Sequence, residues 1–75
     1  MSTLYIKSSR HPLPPLLPED QVLLIGDSLY QSWGVPAWGL IVDAHCRGLT
    51  PEGVELIDYA EWIKRLPQFE RCITC

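Results

Sequence analysis

Four prolines, Pro12, Pro14, Pro15 and Pro18, stand between two apolar runs near the start of this 75-residue chain. Proline has no amide hydrogen to donate and holds its predecessor away from helical backbone angles. Residues 9–18 therefore read as an extended loop, and no helix can join the runs on either side. The first run, Leu4-Tyr5-Ile6, reads as a strand. The second, Val22-Leu23-Leu24-Ile25, shows no polar alternation, the pattern of a strand buried on both faces.

The rest of the chain is punctuated at short intervals. Asp27 or Ser28 can cap a short helix carrying Leu29, Tyr30 and Trp33, with Gly34 ending it and Pro36 forbidding its continuation. Trp38 to Val42 reads as a third strand. Asp43 can cap one further turn, Ala44 to Arg47, closed by Gly48. Thr50-Pro51-Glu52-Gly53 is turn chemistry, and Val54 to Ile57 reads as a fourth strand. Asp58 then precedes Tyr59, Trp62, Ile63 and Leu66, which recur at helical spacing and predict one packed face. Glu61 stands three residues after Asp58, the spacing of a capping box, and Pro67 stops the helix. The tail from Gln68 to Cys75 shows no clear pattern and reads as frayed. Strands without alternation, joined by short helical pieces, predict an α/β fold with a small, mostly parallel sheet and short helical crossovers. In that sheet the proline-rich loop replaces the first crossover helix.

Composition narrows the function. The length allows one domain, 1–75, and a chain this small buries only roughly 60% of the surface its unfolded form exposes. With 47% hydrophobic residues, three Trp, three Tyr and one Phe, the chain is too apolar to be disordered, and part of its surface is expected to meet a partner. The net charge is −3 with no basic stripe, which argues against direct nucleic-acid binding. The runs Val22–Ile25 and Gly39–Val42 are far too short to span a bilayer. The first residues show no cationic start followed by an apolar stretch, so a cytoplasmic location is expected. Three cysteines, Cys46, Cys72 and Cys75, make no disulfide framework and fit reduced thiols.

Each chemical motif has a bland reading beside the functional one. Cys72-Ile73-Thr74-Cys75 has the spacing of a thiolate pair that accepts or resolves a persulfide, or of half a zinc site. No second such pair exists and no helix follows it, so no metal and no cofactor is expected. Cys46 follows His45 in a turn after a strand, where catalytic groups of parallel sheets gather. A free cysteine is commonly just a small buried hydrophobe, however, and adjacent helical residues point apart. Gly26-Asp27-Ser28 could hold an anion at a helix start but lacks a glycine-rich fingerprint. Arg47 can anchor a partner or simply be solvated. Tyr30, Trp33, Trp38 and Trp62 serve either packing or an interface, where Trp and Tyr are enriched.

The segments Asp43-Ala-His-Cys-Arg-Gly-Leu49 and Val54-Glu-Leu-Ile-Asp-Tyr59, followed by an amphipathic helix, resemble the C-terminal half of the DsrH/TusB family. Upstream, Val22-Leu-Leu-Ile-Gly-Asp-Ser-Leu-Tyr30 resembles that family's second strand and the turn after it, with Ser28 where glycine is usual. Leu4-Tyr-Ile-Lys-Ser-Ser9 resembles its opening strand. The matches touch most of the chain in the family's order. The departures are the proline loop in place of a helix and the lack of any cysteine before Cys46, so no family cysteine maps onto this chain. The resemblance implies a DsrE/F/H-like fold and a cytoplasmic subunit of a persulfide-relay complex, with no enzymatic activity of its own. Such complexes support 2-thiolation of the tRNA wobble uridine or intracellular sulfur oxidation. It implies DsrE/TusD-like and DsrF/TusC-like partners, or a homodimer, and a DsrC/TusE-like sulfur acceptor reached through the complex. The alternatives are a direct thiol carrier or redox protein using Cys72 and Cys75, or a stand-alone homodimer of the same fold without the relay.

Overall fold

Each of the four apolar runs contributes a strand, the third ending at Leu40 because Ile41 and Val42 enter a helix instead, and the tail adds a fifth. The computed structural model describes every residue except Met1 and Ser32. The strands are β1 (Thr3–Lys7), β2 (Gln21–Leu24), β3 (Ala37–Leu40), β4 (Val54–Ile57) and β5 (Arg71–Thr74). They form one all-parallel sheet in the order β4-β3-β2-β1-β5. The chain is therefore an α/β protein. β5 corrects the expectation of a frayed tail: it pairs along β1, Thr3 with Arg71 through Ile6 with Thr74.

The connections divide between the two faces of the sheet. Val22 and Leu24 point to one face, where Leu13, Leu16, Leu29, Ala44 and Leu49 cover them. Those residues belong to the first three crossovers. Leu4, Leu23, Leu40 and Ile57 point to the other, under Trp62, Leu66 and Phe69 from the last crossover. Three steps in one direction over one face, and a return over the other, keep a single crossover hand.

The proline loop covers the sheet near β1 and β2 where a crossover helix would, through Leu13 and Leu16. Asp20 closes this loop. One carboxylate oxygen accepts the Thr3 amide at 3.1 Å and the other the Leu17 amide at 2.9 Å. One side chain thus ties the loop to the start of β1.

The second crossover begins with a 3-10 turn, Gly26–Tyr30, rather than a capped helix. Ser28 turns inward, its hydroxyl 2.6 Å from the Lys7 carbonyl and 2.8 Å from that of Ile25. Trp33 lies beyond the turn and donates its indole N–H to the Ser28 carbonyl at 2.9 Å. The part of the expected helix at Ser32 lies outside the described residues. The third crossover holds α1 (Ile41–Cys46), which starts before Asp43 and has no side-chain cap. Its end is closed by paired bonds, Gly48 N–H to His45 O at 3.1 Å and Leu49 N–H to Ala44 O at 2.9 Å. Gly48 has φ 64°, the left-handed geometry this ending requires.

In the last crossover, Asp58 caps α2 (Tyr59–Arg65) as its spacing predicts, accepting the Glu61 amide at 2.8 Å. A 3-10 turn, Leu66–Gln68, follows. The packed face is narrower than its periodicity implies. Trp62 and Leu66 pack on the sheet, whereas Tyr59 is 51% and Ile63 65% exposed. Arg65 lies over the Trp38 ring at 4.6 Å and bonds both Glu61 and Glu55 at 2.8 Å. That bond from Arg65 holds the Glu55 carboxyl below its usual range.

At Gly39 the neighbouring strand and the second crossover together leave no room for a side chain. A β-carbon there would lie 2.9 Å from Val54 Cγ1 and 3.0 Å from Leu29 Cδ2. Gly39→Ala should cost about 1–3 kcal/mol, the usual penalty of overpacking, in denaturant unfolding. Trp62 offers a second test. Its indole nitrogen is buried without a hydrogen-bond partner. Trp62→Ala should cost about 3 kcal/mol by loss of packing. Trp62→Phe should cost less than about 1 kcal/mol, because it also removes a buried unpaired donor.

Candidate functional site

The carboxyl ends of the strands gather most of the chain's polar chemistry, as in other open parallel sheets. Lys7 ends β1 and is completely buried. Its ammonium donates to Ser9 Oγ at 3.0 Å and sits 5.2 Å from the centre of the Trp33 ring. Among the described residues no carboxylate is within ion-pair distance of it. An ammonium with one hydroxyl and one aromatic face is sparsely compensated for a buried charge.

Next to it, the turn at Gly26 was read as a possible anion holder. The structure fills that role with the chain's own carboxylate, because the Gly26 amide donates to Asp43 Oδ2 at 2.9 Å. This is why Asp43 does not cap α1. Arg47 is half-buried, bonds the Asp43 carbonyl at 3.3 Å and lies 3.6 Å from Asp27. A partly exposed pair at that distance adds little stability. Arg47 and Arg10 both approach the exposed Tyr30 ring, at 6.0 and 5.5 Å.

From Tyr30 a groove of about 690 Å3 runs across the same face of the sheet. It lies between segments 29–31 and 33–36 on one side and 49–54 on the other, with Leu24 and Leu29 in its floor and Trp33, Val35 and Val54 along its walls. Its size falls in the range of ligand and peptide clefts. The bond to Ser28 fixes the Trp33 wall. Of the expected interface or packing residues, Tyr30 and Trp33 therefore border the groove, with Arg47 beside Tyr30. Trp38 packs on the opposite face against Phe69, ring centres 5.8 Å apart, and Trp62 packs on that face too.

The three thiols are not brought together. Cys46 ends α1 and is exposed, as is His45. Neighbouring helical positions project the two side chains apart. Cys72 lies in β5 opposite Leu4. Cys75 continues that ladder, donating its amide to Ile6 O at 3.0 Å while its carbonyl accepts from Ser8 at 3.1 Å. Three positions of extended chain separate their Cα atoms by about 10 Å and place the side chains on opposite faces. A disulfide needs Cα atoms about 4.4–6.8 Å apart. The CxxC spacing thus makes neither a redox pair nor a two-thiolate metal clasp in this fold. Among the described residues no group of three or more potential metal ligands occurs.

The same ladder sets Cys75 directly opposite the buried Lys7, at the parallel-strand spacing of about 4.8 Å between Cα atoms. The sequence reading passed over Lys7 as a site-forming group and took Asp43 only for a helix cap. The signal for Lys7 was present: it shares a face with Thr3 and Tyr5 at period two. Among the described residues no helix is long and apolar enough to cross a membrane.

In comparisons with family models, curated proteins and solved structures, nothing matches this chain. The functional reading therefore rests on residues and geometry. The thiol geometry is testable by mild oxidation followed by alkylation and mass spectrometry. The monomer fraction should carry three alkylated cysteines, whereas an intrachain Cys72–Cys75 disulfide would show that β5 does not hold its place.

Proposed function

We propose that this chain is a non-catalytic subunit of a cytoplasmic persulfide-relay complex of the DsrE/DsrF/DsrH kind. It would dock a thiol-bearing, DsrE/TusD-like partner, alongside a DsrF/TusC-like subunit, and help present that partner to a DsrC/TusE-like acceptor. The complex would serve tRNA wobble-uridine 2-thiolation or intracellular sulfur oxidation. The ordered resemblance of its segments to the DsrH/TusB family supports this reading, and the all-parallel α/β sheet is compatible with a DsrE/F/H-like fold. The observation that carries the scaffold role is the open groove walled by Trp33 and Val35, on a chain whose thiols stand apart. A docking surface needs rigid aromatic walls; a dithiol mechanism needs two sulfurs within reach.

One observation favours a second reading, in which Cys75 alone carries sulfur. Its place opposite Lys7 in the ladder sets it at the carboxyl end of β1, the end of a parallel sheet where reactive groups gather. A Cys75 thiolate would attack the outer sulfur of a donor persulfide, keep that sulfur as its own persulfide and release the donor thiolate.

Two sets of variants separate the readings in cells that depend on this chain. With the scaffold role, Cys72→Ser/Cys75→Ser retains thiouridine content and co-purifying subunits, while Trp33→Ala loses both. Loss of thiolation by Cys75→Ser alone, with assembly intact, would overturn the scaffold reading in favour of the carrier.

A further inference from the structure

An open sheet has two edges, and this one treats them differently. β4 forms one edge, and there Arg65 reaches from α2 to Glu55, setting a charged pair at the border. Charges of this kind discourage strand addition. β5 forms the other edge, and all four of its residues are exposed. It contains no proline and no lysine, and its one charge, Arg71, turns inward to Thr3 Oγ1 at 3.4 Å.

The direction of each backbone group in β5 follows from its ladder with β1. The Arg71 amide donates to Ser2 O at 3.3 Å and the Cys75 amide to Ile6 O at 3.0 Å. Alternation along a strand gives Ile73 the same inward direction. The amides and carbonyls of Cys72 and Thr74 therefore point away from the sheet. Among the described residues no other backbone group meets them.

We infer that β5 is a self-association edge whose partner is a second copy of this chain, paired antiparallel about a two-fold axis at Ile73. In this register Cys72 lies opposite Thr74 of the second copy, and the reverse. All four outward groups on each strand are then used, giving four hydrogen bonds across the axis. Ile73, exposed at 37%, meets its own copy on the axis as a non-hydrogen-bonded pair, the arrangement that brings side chains closest. Arg71 falls opposite Cys75 of the second copy, so no like charges oppose each other. Centring the pair on Cys72 would instead set Thr74 against Glu70, whose amide is already given to Ser2 O at 3.0 Å. The Ile73 register alone is both symmetric and fully bonded. The result is a continuous ten-stranded sheet with an isologous contact. The inference does not depend on the sulfur-relay reading.

A four-residue strand makes a small interface, of the weak and exchanging class. Sedimentation equilibrium of the full chain under reducing conditions, up to about 100 µM, should show the mass rising about twofold with concentration, as a micromolar dissociation constant requires. Thr74→Pro removes an outward amide and leaves the β1 ladder intact, so it should stay monomeric with an unchanged circular dichroism spectrum. In a chain with Cys46, Cys72 and Cys75 replaced by Ser, Ile73→Cys should cross-link to a dimer on oxidation. A wild type that stays monomeric, or a dimer that persists in folded Thr74→Pro, overturns the inference. So does an Ile73→Cys chain that does not cross-link, and this arm decides the matter if Thr74→Pro fails to fold.

Discussion

A parallel ladder cannot be closed by a hairpin, and this constraint shapes the whole molecule. Every strand must be followed by a crossover to the opposite end of the sheet, normally a dozen or more residues with a helix. This chain crosses four times within 75 residues. Among the described residues it does so with one proline loop, two 3-10 turns and two helices of six and seven residues. Short crossovers leave little material to cover the sheet, so each packs with few side chains. Gly39 is the clearest consequence: the second crossover lies so close that Leu29 occupies the space of a side chain on β3.

Thin covering also explains where the surface is apolar. The groove opens where the second and third crossovers fail to meet over β3. On the other face α2 turns only Trp62 and Leu66 inward and leaves Tyr59 and Ile63 in water. The polar groups are correspondingly committed to structure: Asp20 and Asp43 each use a carboxylate on backbone amides, one at each end of the sheet. Arg65 is likewise committed, to two carboxylates and an aromatic ring. Much of the remaining chemistry, including Lys7 and Arg47, gathers around Tyr30 and Trp33.

β1, β2 and β3 were legible from their apolar runs, because burial on both faces leaves little other composition possible, and β4 was legible from Val54, Leu56 and Ile57 around the exposed Glu55. The Asp58 cap was legible because its partner amide lies at fixed spacing. β5 was not: Arg71-Cys72-Ile73-Thr74 is an exposed edge strand, and neither an apolar run nor a sharp alternation marks it. Its pairing depends on β1, far away in sequence. Ser28 and Asp43 were misread for a related reason. Each has the right chemistry for a local helix cap, but a tertiary partner wins, the Lys7 carbonyl in one case and the Gly26 amide in the other. Periodicity overstated the packed face of α2, since it shows which residues share a side but not how far the sheet extends beneath them. The candidate site was legible in its aromatic residues and Arg47. Its buried lysine was hidden at the end of a strand.

The ladder between β1 and β5 has a consequence for how the molecule assembles. Thr3 and Arg71 meet across almost the whole chain, so this contact carries the greatest loop-closure entropy of the four ladders. Local pairings, β1 with β2 and onward to β4, can form from short segments first, and non-local contacts of this kind slow folding. β5, joined by one ladder only, is the natural unit of partial opening. When it opens, the side of β1 that it occupied is bare, and the β5 of a neighbouring molecule fits there as well as its own. The same small strand thus offers a route to strand exchange between copies.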